Sequence, residues 1–204
     1  MEEERVGADQ SWDDVFGDLD VRTLDHDQRL DLLNKWISQA LAGKSWAARS
    51  GGDEAQLVWE AAVQSFLDGN WVAAILCAHA VAERELAGMV PALSTSVLNE
   101  FKSPPKHWER MGMGGLLKVV EKFRVLDPDL VLDLRRLAEV RKPYGHWRPY
   151  LAEQSINQRV RAEHRATGNL DHDNLVQRLI VRDATHSMRT TAHLYFGSYG
   201  FGGP

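Results

Sequence analysis

An arginine and a histidine separated by four residues, Arg141 and His146, are the side chains of this sequence best suited to chemistry. A guanidinium offers paired hydrogen bonds to phosphate oxygens in a fixed planar geometry. An imidazole titrates near neutral pH and can therefore transfer protons in RNA cleavage that uses no metal. The pair predicts a phosphate ligand, Arg141, next to an acid–base group, His146.

The two side chains need a break in the helix if they are to meet. Residues five apart on an undistorted helix point roughly 140° away from each other. Between them, Pro143 removes a helical hydrogen bond and Gly145 frees the backbone. We therefore predict that the helix ends near Arg141 and that the chain turns His146 back toward it.

The elements that position this pair are predicted to be helices, because no segment alternates with the period of a strand. Helical periodicity, capping residues and turns predict an all-α fold, an up-and-down bundle of four to five long helices with short accessory helices. The segment from Trp71 to Cys77 is apolar on nearly all sides, so its helix is expected at the centre. Pro91 is expected to end that helix. The predicted helices are 25–41, 54–67, 70–90, 94–102, 116–123, 127–141 and 171–196, and a polar stretch spans 153–170.

Length and composition predict one domain. Residues 1–22 form an acidic arm that is expected to be mobile, residues 23–197 a single helical domain, and residues 198–204 a glycine-rich tail. The lone cysteine, Cys77, excludes disulfides within one chain and a cysteine-rich zinc site. No apolar run reaches the roughly 18 residues of a membrane span. We expect a cytoplasmic protein with no membrane contact, no metal and no cofactor.

The net charge of −5 argues against a surface that grips nucleic acid everywhere, so any RNA site must be local. Basic residues concentrate between positions 135 and 165. They are Arg135, Arg136, Arg141, Lys142, Arg148, Arg159, Arg161 and Arg165. This stretch is where an anion is expected to bind.

The stretch 134–147 resembles the R-x4–6-H signature of the HEPN superfamily. Residues 66–74, with the turn Asp68-Gly69-Asn70 before Trp71, look like the hairpin that opens the long buried helix of that superfamily. The resemblance spans roughly residues 54–196. It implies a homodimer whose two motifs line one cleft, and metal-independent cleavage that leaves a cyclic phosphate. In active members a small polar residue commonly follows the arginine, whereas Lys142 stands here and cannot accept a hydrogen bond from the histidine.

The expected function is thus an endoribonuclease of the HEPN type, a toxin or phage-defence effector that cuts RNA, possible targets including transfer RNA. An antitoxin or regulatory protein is a further expected partner. The alternative is a non-catalytic helical module that holds RNA, a nucleotide or a protein. A third hypothesis is a structural adaptor whose acidic arm docks on a basic partner. The predicted catalytic residues are Arg141 and His146, and the predicted RNA-binding residues are Lys142, Tyr144, Arg136 and Arg148.

Structural roles compete with these assignments. Arg141 and His146 could instead neutralise the negative end of the preceding helix. Tyr144 could stack on a base or pack against the bundle. Arg159, Arg161 and Arg165 could contact phosphates or form a solvated helix face. Glu83, Arg84 and Glu85 are interpreted as helix-surface ion pairs, with a carboxylate that holds the motif arginine as the alternative.

Overall fold

The computed structural model describes residues 20–42, 49–96, 107–145, 155–168 and 170–197. These residues form helices, caps and turns, and no strand occurs among them. The helices are α1 His26–Leu41, α2 Gly52–Leu67, α3 Trp71–Ser96, α4 Met113–Lys122, α5 Pro128–Gly145, α6 Ile156–Thr167 and α7 His172–Phe196. Five are long, and α4 and α6 are shorter, so the predicted all-α class is confirmed.

The third helix lies at the centre of the bundle, as predicted. It packs against α2, α4, α5 and α7, and α7 in turn packs against α1, α5 and α6. Alanines on α3 allow its neighbours to approach closely, and the larger side chains fill the space between them. The buried side chains of α3 include Ala74, Ile75, Ala78, Val81, Ala82, Leu86 and Met89.

Side-chain caps define where helices begin. The Asp25 carboxylate accepts from the Gln28 backbone N–H at 2.9 Å, and the Gln28 side chain accepts from the Asp25 N–H at 3.0 Å. This reciprocal capping box satisfies two N–H groups that the first turn leaves free. At the start of α7, the Asp171 side chain accepts a hydrogen bond from the Asn174 backbone N–H at 3.1 Å. The predicted starts of both helices are confirmed, and α1 ends at Leu41. Gly43, a glycine just beyond the last apolar residue and therefore also a predicted sign of this end, lies outside the described residues.

In the middle of the chain one prediction is wrong, and one helix was not predicted. Pro91 lies inside α3, which continues to Ser96. The fixed φ of proline suits a helix, and the packing of Leu86 and Met89 on the neighbouring helices offsets one lost backbone bond. The polar stretch 153–170 contains a helix, α6, which the periodicity missed because only Ile156 and Val160 carry its apolar face.

The segment before α2 lies directly on α3. The Ser50 N–H donates to the Glu85 carboxylate at 2.8 Å, and Glu85 is buried rather than part of a surface ion pair. A Cβ on Gly88 would lie 1.8 Å from the Ser50 carbonyl oxygen, so only glycine permits this approach.

The last residues of the predicted arm pack on the bundle. Val21 is buried in the core, and the Arg22 guanidinium donates to the Asn174 side chain at 2.7 Å. Residues 1–19 and 198–204 lie outside the described residues. Within the described part of the chain, no helix combines the length and apolar character that crossing a membrane requires.

Candidate functional site

Arg141 lies one turn before the end of α5, which continues as a helix through Pro143 to Gly145. The prediction that the helix ends near Arg141 is therefore wrong. Proline loses its own backbone hydrogen bond and crowds the carbonyl one turn earlier, but its fixed φ is compatible with a helix. His146 and Arg148 follow at once and lie outside the described residues. The predicted return of His146 toward Arg141 stays a prediction.

An open cleft of about 410 Å³ lies between α3, α4 and α5. Arg141 and Lys142 line it from α5. The other lining residues are His79, Glu83, Gly112, Met113, Gly114, Gly115 and Ala138. The structure thus brings the predicted phosphate ligand together with side chains from two other helices.

The Arg141 side chain runs along the last turn of α5. A Cβ on Gly145 would lie 3.1 Å from its Nε and 3.4 Å from its Cζ. The missing side chain of Gly145 therefore leaves room for the guanidinium against the helix. This gives Gly145 a role that the motif spacing alone did not indicate.

Arg141 differs from its basic neighbours in having no carboxylate partner among the described residues. Arg135 donates to Glu121 at 2.5 Å, and the Lys142 ammonium pairs with Glu139 one turn earlier on the same helix. A guanidinium whose charge is not used by the fold can take up an anion without first breaking an ion pair. Arg141 is the basic side chain of the cleft with this property.

Glu83 and His79 form the α3 wall of the cleft. One Glu83 oxygen accepts from the Met113 backbone N–H at 3.0 Å, which fixes the carboxylate at the first turn of α4. Its other oxygen lies 4.0 Å from His79 Nδ1, one turn away on α3. Burial, and then the positive charge of Arg141, lower the pKa of His79 to about 4. His79 is therefore neutral at neutral pH.

Sequence reasoning missed His79. The sequence carries one indication of this site, because His79 and Glu83 are four residues apart and residues four apart share one face of a helix. The two neighbouring carboxylates of this stretch, Glu83 and Glu85, lie in different places. Glu83 lines the cleft, whereas Glu85 is buried against the segment before α2.

Tyr144 belongs to a buried network on the other side of α5. Its hydroxyl donates to Asp183 Oδ2 at 2.8 Å, and Arg159 donates to both Asp183 oxygens at 2.6 Å. The ring packs against Ile75 and Ala184. Burial, and then the negative charge of Asp183, raise the pKa of the Tyr144 hydroxyl, so it stays a donor. These contacts favour the packing interpretation of Tyr144 over base stacking, and they give Arg159 a structural partner.

The other basic residues that the sequence singled out within the described ranges do not line the cleft. Arg136 is exposed on α5, five residues before Arg141 and therefore on a different face. Arg161 and Arg165 are exposed on α6, where Arg165 Nε donates to the Arg161 carbonyl at 3.3 Å. In the ranges that the structure describes, no three histidine, cysteine or acidic side chains cluster as a metal site would require.

No protein-family model, curated protein or solved structure matches this chain.

Two histidines inside the bundle, one buried and one partly buried, should make the stability of the fold pH-dependent. Burial, and then Arg136, lower the pKa of His186 to about 4, as burial and Arg141 do for His79. Because an unfolded histidine has a pKa of about 6.5, each contributes stability above that pH and loses it as the pH falls toward 4. Between pH 7 and pH 5 each histidine should lower the free energy of unfolding by about 2 kcal/mol.

The matched variant for this prediction is His186→Gln, which removes one of the two titrating groups. Urea unfolding of the wild type and the variant at pH 7 and pH 5 measures the loss in each protein. We expect the wild type to lose about 2 kcal/mol more than the variant. Equal losses in the two proteins would show that His186 does not titrate with unfolding.

Proposed function

We propose that this chain is a metal-independent endoribonuclease of the HEPN type. The observation that carries the proposal is the position of Arg141, which lines an open cleft with no carboxylate partner among the described residues. The supporting sequence feature is His146, five positions further along the chain. A local cationic site on a chain of net charge −5 fits a protein that binds RNA at one place.

In the proposed reaction the 2′-hydroxyl of a ribose loses its proton to a base, and the 2′-oxygen attacks the adjacent phosphorus. The bond from phosphorus to the 5′-oxygen breaks, and an acid gives that oxygen a proton. Arg141 donates hydrogen bonds to the non-bridging oxygens, whose negative charge grows in the transition state. His146 supplies one of the two proton transfers. The products are a 2′,3′-cyclic phosphate and a 5′-hydroxyl.

The biological setting belongs to the same proposal. We propose that the chain acts in the cytoplasm as a homodimer, in which two motifs line one cleft. Its role is that of a toxin or phage-defence effector, with transfer RNA among its candidate targets. An antitoxin or regulatory protein would then hold the activity in check.

A second candidate is a module that holds RNA or a nucleotide without cutting it. The observation that favours it is Lys142, which lines the cleft next to Arg141. A lysine adds affinity for phosphate but accepts no hydrogen bond that would orient His146. The same experiment separates the two candidates.

The test is incubation of the purified protein with total RNA and with transfer RNA in the presence of EDTA, next to the His146→Ala variant. We expect the wild type to cleave RNA and the variant to cleave it at least about 100-fold more slowly, because general acid–base catalysis contributes that much or more. RNA that is bound but left intact by the wild type would support the second candidate and overturn the first.

A further inference from the structure

Metal-independent cleavage of RNA needs two proton transfers, one from the 2′-hydroxyl and one to the leaving 5′-oxygen. The motif supplies a single histidine. Resting on the function proposed above, we propose that His79 is the second proton-transfer group: the general base that takes the 2′-hydroxyl proton, with the Glu83 carboxylate nearby to offset the charge that His79 then carries.

The geometry of the α3 wall carries this assignment. His79 and Arg141 line the same cleft from different helices, so a phosphate on Arg141 lies on the side that His79 faces. The Glu83 carboxylate, 4.0 Å from His79 Nδ1, is itself fixed by the Met113 N–H at 3.0 Å. A backbone donor thus positions a carboxylate, and that carboxylate places a negative charge 4.0 Å from the imidazole nitrogen, beyond hydrogen-bond distance.

His79 does not have the contacts of an ordinary core histidine. Its side chain is only 6% exposed, yet among the described residues its ring has no hydrogen-bond partner. His186 is also largely buried, but its Nε2 lies 3.3 Å from the Asp133 carbonyl oxygen and it does not line the cleft. A polar ring at the wall of an open cleft that makes no hydrogen bond within the described part of the chain is suited to meet a polar group of a ligand.

The charges around His79 suit a base that works only with substrate bound. It faces Glu83 on its own helix, Arg141 and Lys142 on α5, and the N-terminus of α4. Burial, the larger cause of the low pKa of His79, persists when substrate binds, but the negative charge of a phosphate on Arg141 offsets the smaller one, the nearby cation. In the step itself the 2′-hydroxyl proton moves to His79, and Glu83 stabilises the imidazolium that forms.

The test compares His79→Gln with His186→Gln in single-turnover cleavage of transfer RNA with EDTA present. Circular dichroism first establishes that both variants are folded. We expect His79→Gln to cleave at least about 100-fold more slowly while binding RNA within a few-fold of the wild type, and His186→Gln to cleave at the wild-type rate. Rapid cleavage by folded His79→Gln overturns the inference and leaves the proposed function standing, whereas an inert wild type overturns both.

The Glu83→Gln variant decides the question if His79→Gln does not fold. Glutamine keeps an oxygen for the Met113 N–H but removes the charge that stabilises the imidazolium. We expect about a tenfold lower rate and an acid limb of the rate–pH profile displaced to lower pH. An unchanged rate and profile would exclude a proton on His79 in the rate-limiting step.

Discussion

Replacing Arg141 with alanine should lower the single-turnover rate of RNA cleavage by about 10²–10³-fold. The guanidinium is placed to meet charge that develops on the phosphate oxygens, and in the described residues no other group is bonded to it. The expected loss corresponds to about 3–4 kcal/mol of transition-state stabilisation. RNA binding should weaken by a smaller factor, because a single phosphate contact contributes less to the ground state.

The matched control is Arg135→Ala, which removes the same side chain from the same helix. Arg135 is exposed and pairs with Glu121 rather than lining the cleft. We expect its rate to stay within about twofold of the wild type, since exposed ion pairs contribute little. Equal losses in the two variants would indicate a general charge effect and would count against a specific role for Arg141.

Replacing Asp183 with alanine should lower the free energy of unfolding by about 3–5 kcal/mol. Asp183 is 3% exposed and accepts from Tyr144 on α5 and from Arg159 on α6. Its removal leaves a guanidinium and a hydroxyl without their acceptor at the junction of three helices. Because domains of this size are stable by only about 5–15 kcal/mol, the loss would be visible as a large fall in the urea midpoint.

Glu163→Ala is the control, because Glu163 and Arg182 form a partly exposed ion pair between the same two helices, α6 and α7, at 3.6 Å. We expect that variant to lose less than about 1 kcal/mol. Tyr144→Phe, which removes a single hydrogen bond, should lose about 1–3 kcal/mol. If Asp183→Ala and Glu163→Ala lost the same amount, the buried network would not be the element that joins α5 to α7.

The sequence predicted those helices whose apolar face and cap are both local signals. Asp25 and Asp171 precede periodic segments, and both cap the helices that were predicted. The helix α6 escaped prediction because its stability comes from contacts made elsewhere, the burial of Val160 against α7 and the pairing of Arg159 with Asp183. Contacts between residues far apart in the chain produce no periodic pattern in the sequence of the helix itself.

The prolines were misjudged for a related reason. Pro91 and Pro143 each cost one backbone bond, which a solvated helix would not tolerate. In the bundle, packing around Met89 holds the turn that precedes Pro91, and the bond from Tyr144 to Asp183 holds the turn that contains Pro143. Local propensity was overridden by tertiary contacts that single-sequence reasoning does not contain.

The candidate site was predicted in part. Arg141 and Lys142 were singled out by residue type and spacing, and the structure brings both into the cleft. Their neighbours His79 and Glu83 come from a helix about 60 residues earlier, and only the packing of α3 against α5 brings the two pairs together. Tyr144 was also singled out, as an RNA-binding residue, because it lies within the motif. In the structure its contacts lie in the core instead.

The central claim is that Arg141 and His146 cleave RNA without metal, and the chemistry of the cut ends tests it most directly. Labelled transfer RNA is incubated with the wild type and with Arg141→Ala in EDTA, and the termini of the products are identified. We predict 2′,3′-cyclic phosphate and 5′-hydroxyl ends from the wild type and their near-absence with the variant. Intact RNA with the wild type, or the same products in the same yield from Arg141→Ala, would contradict the claim.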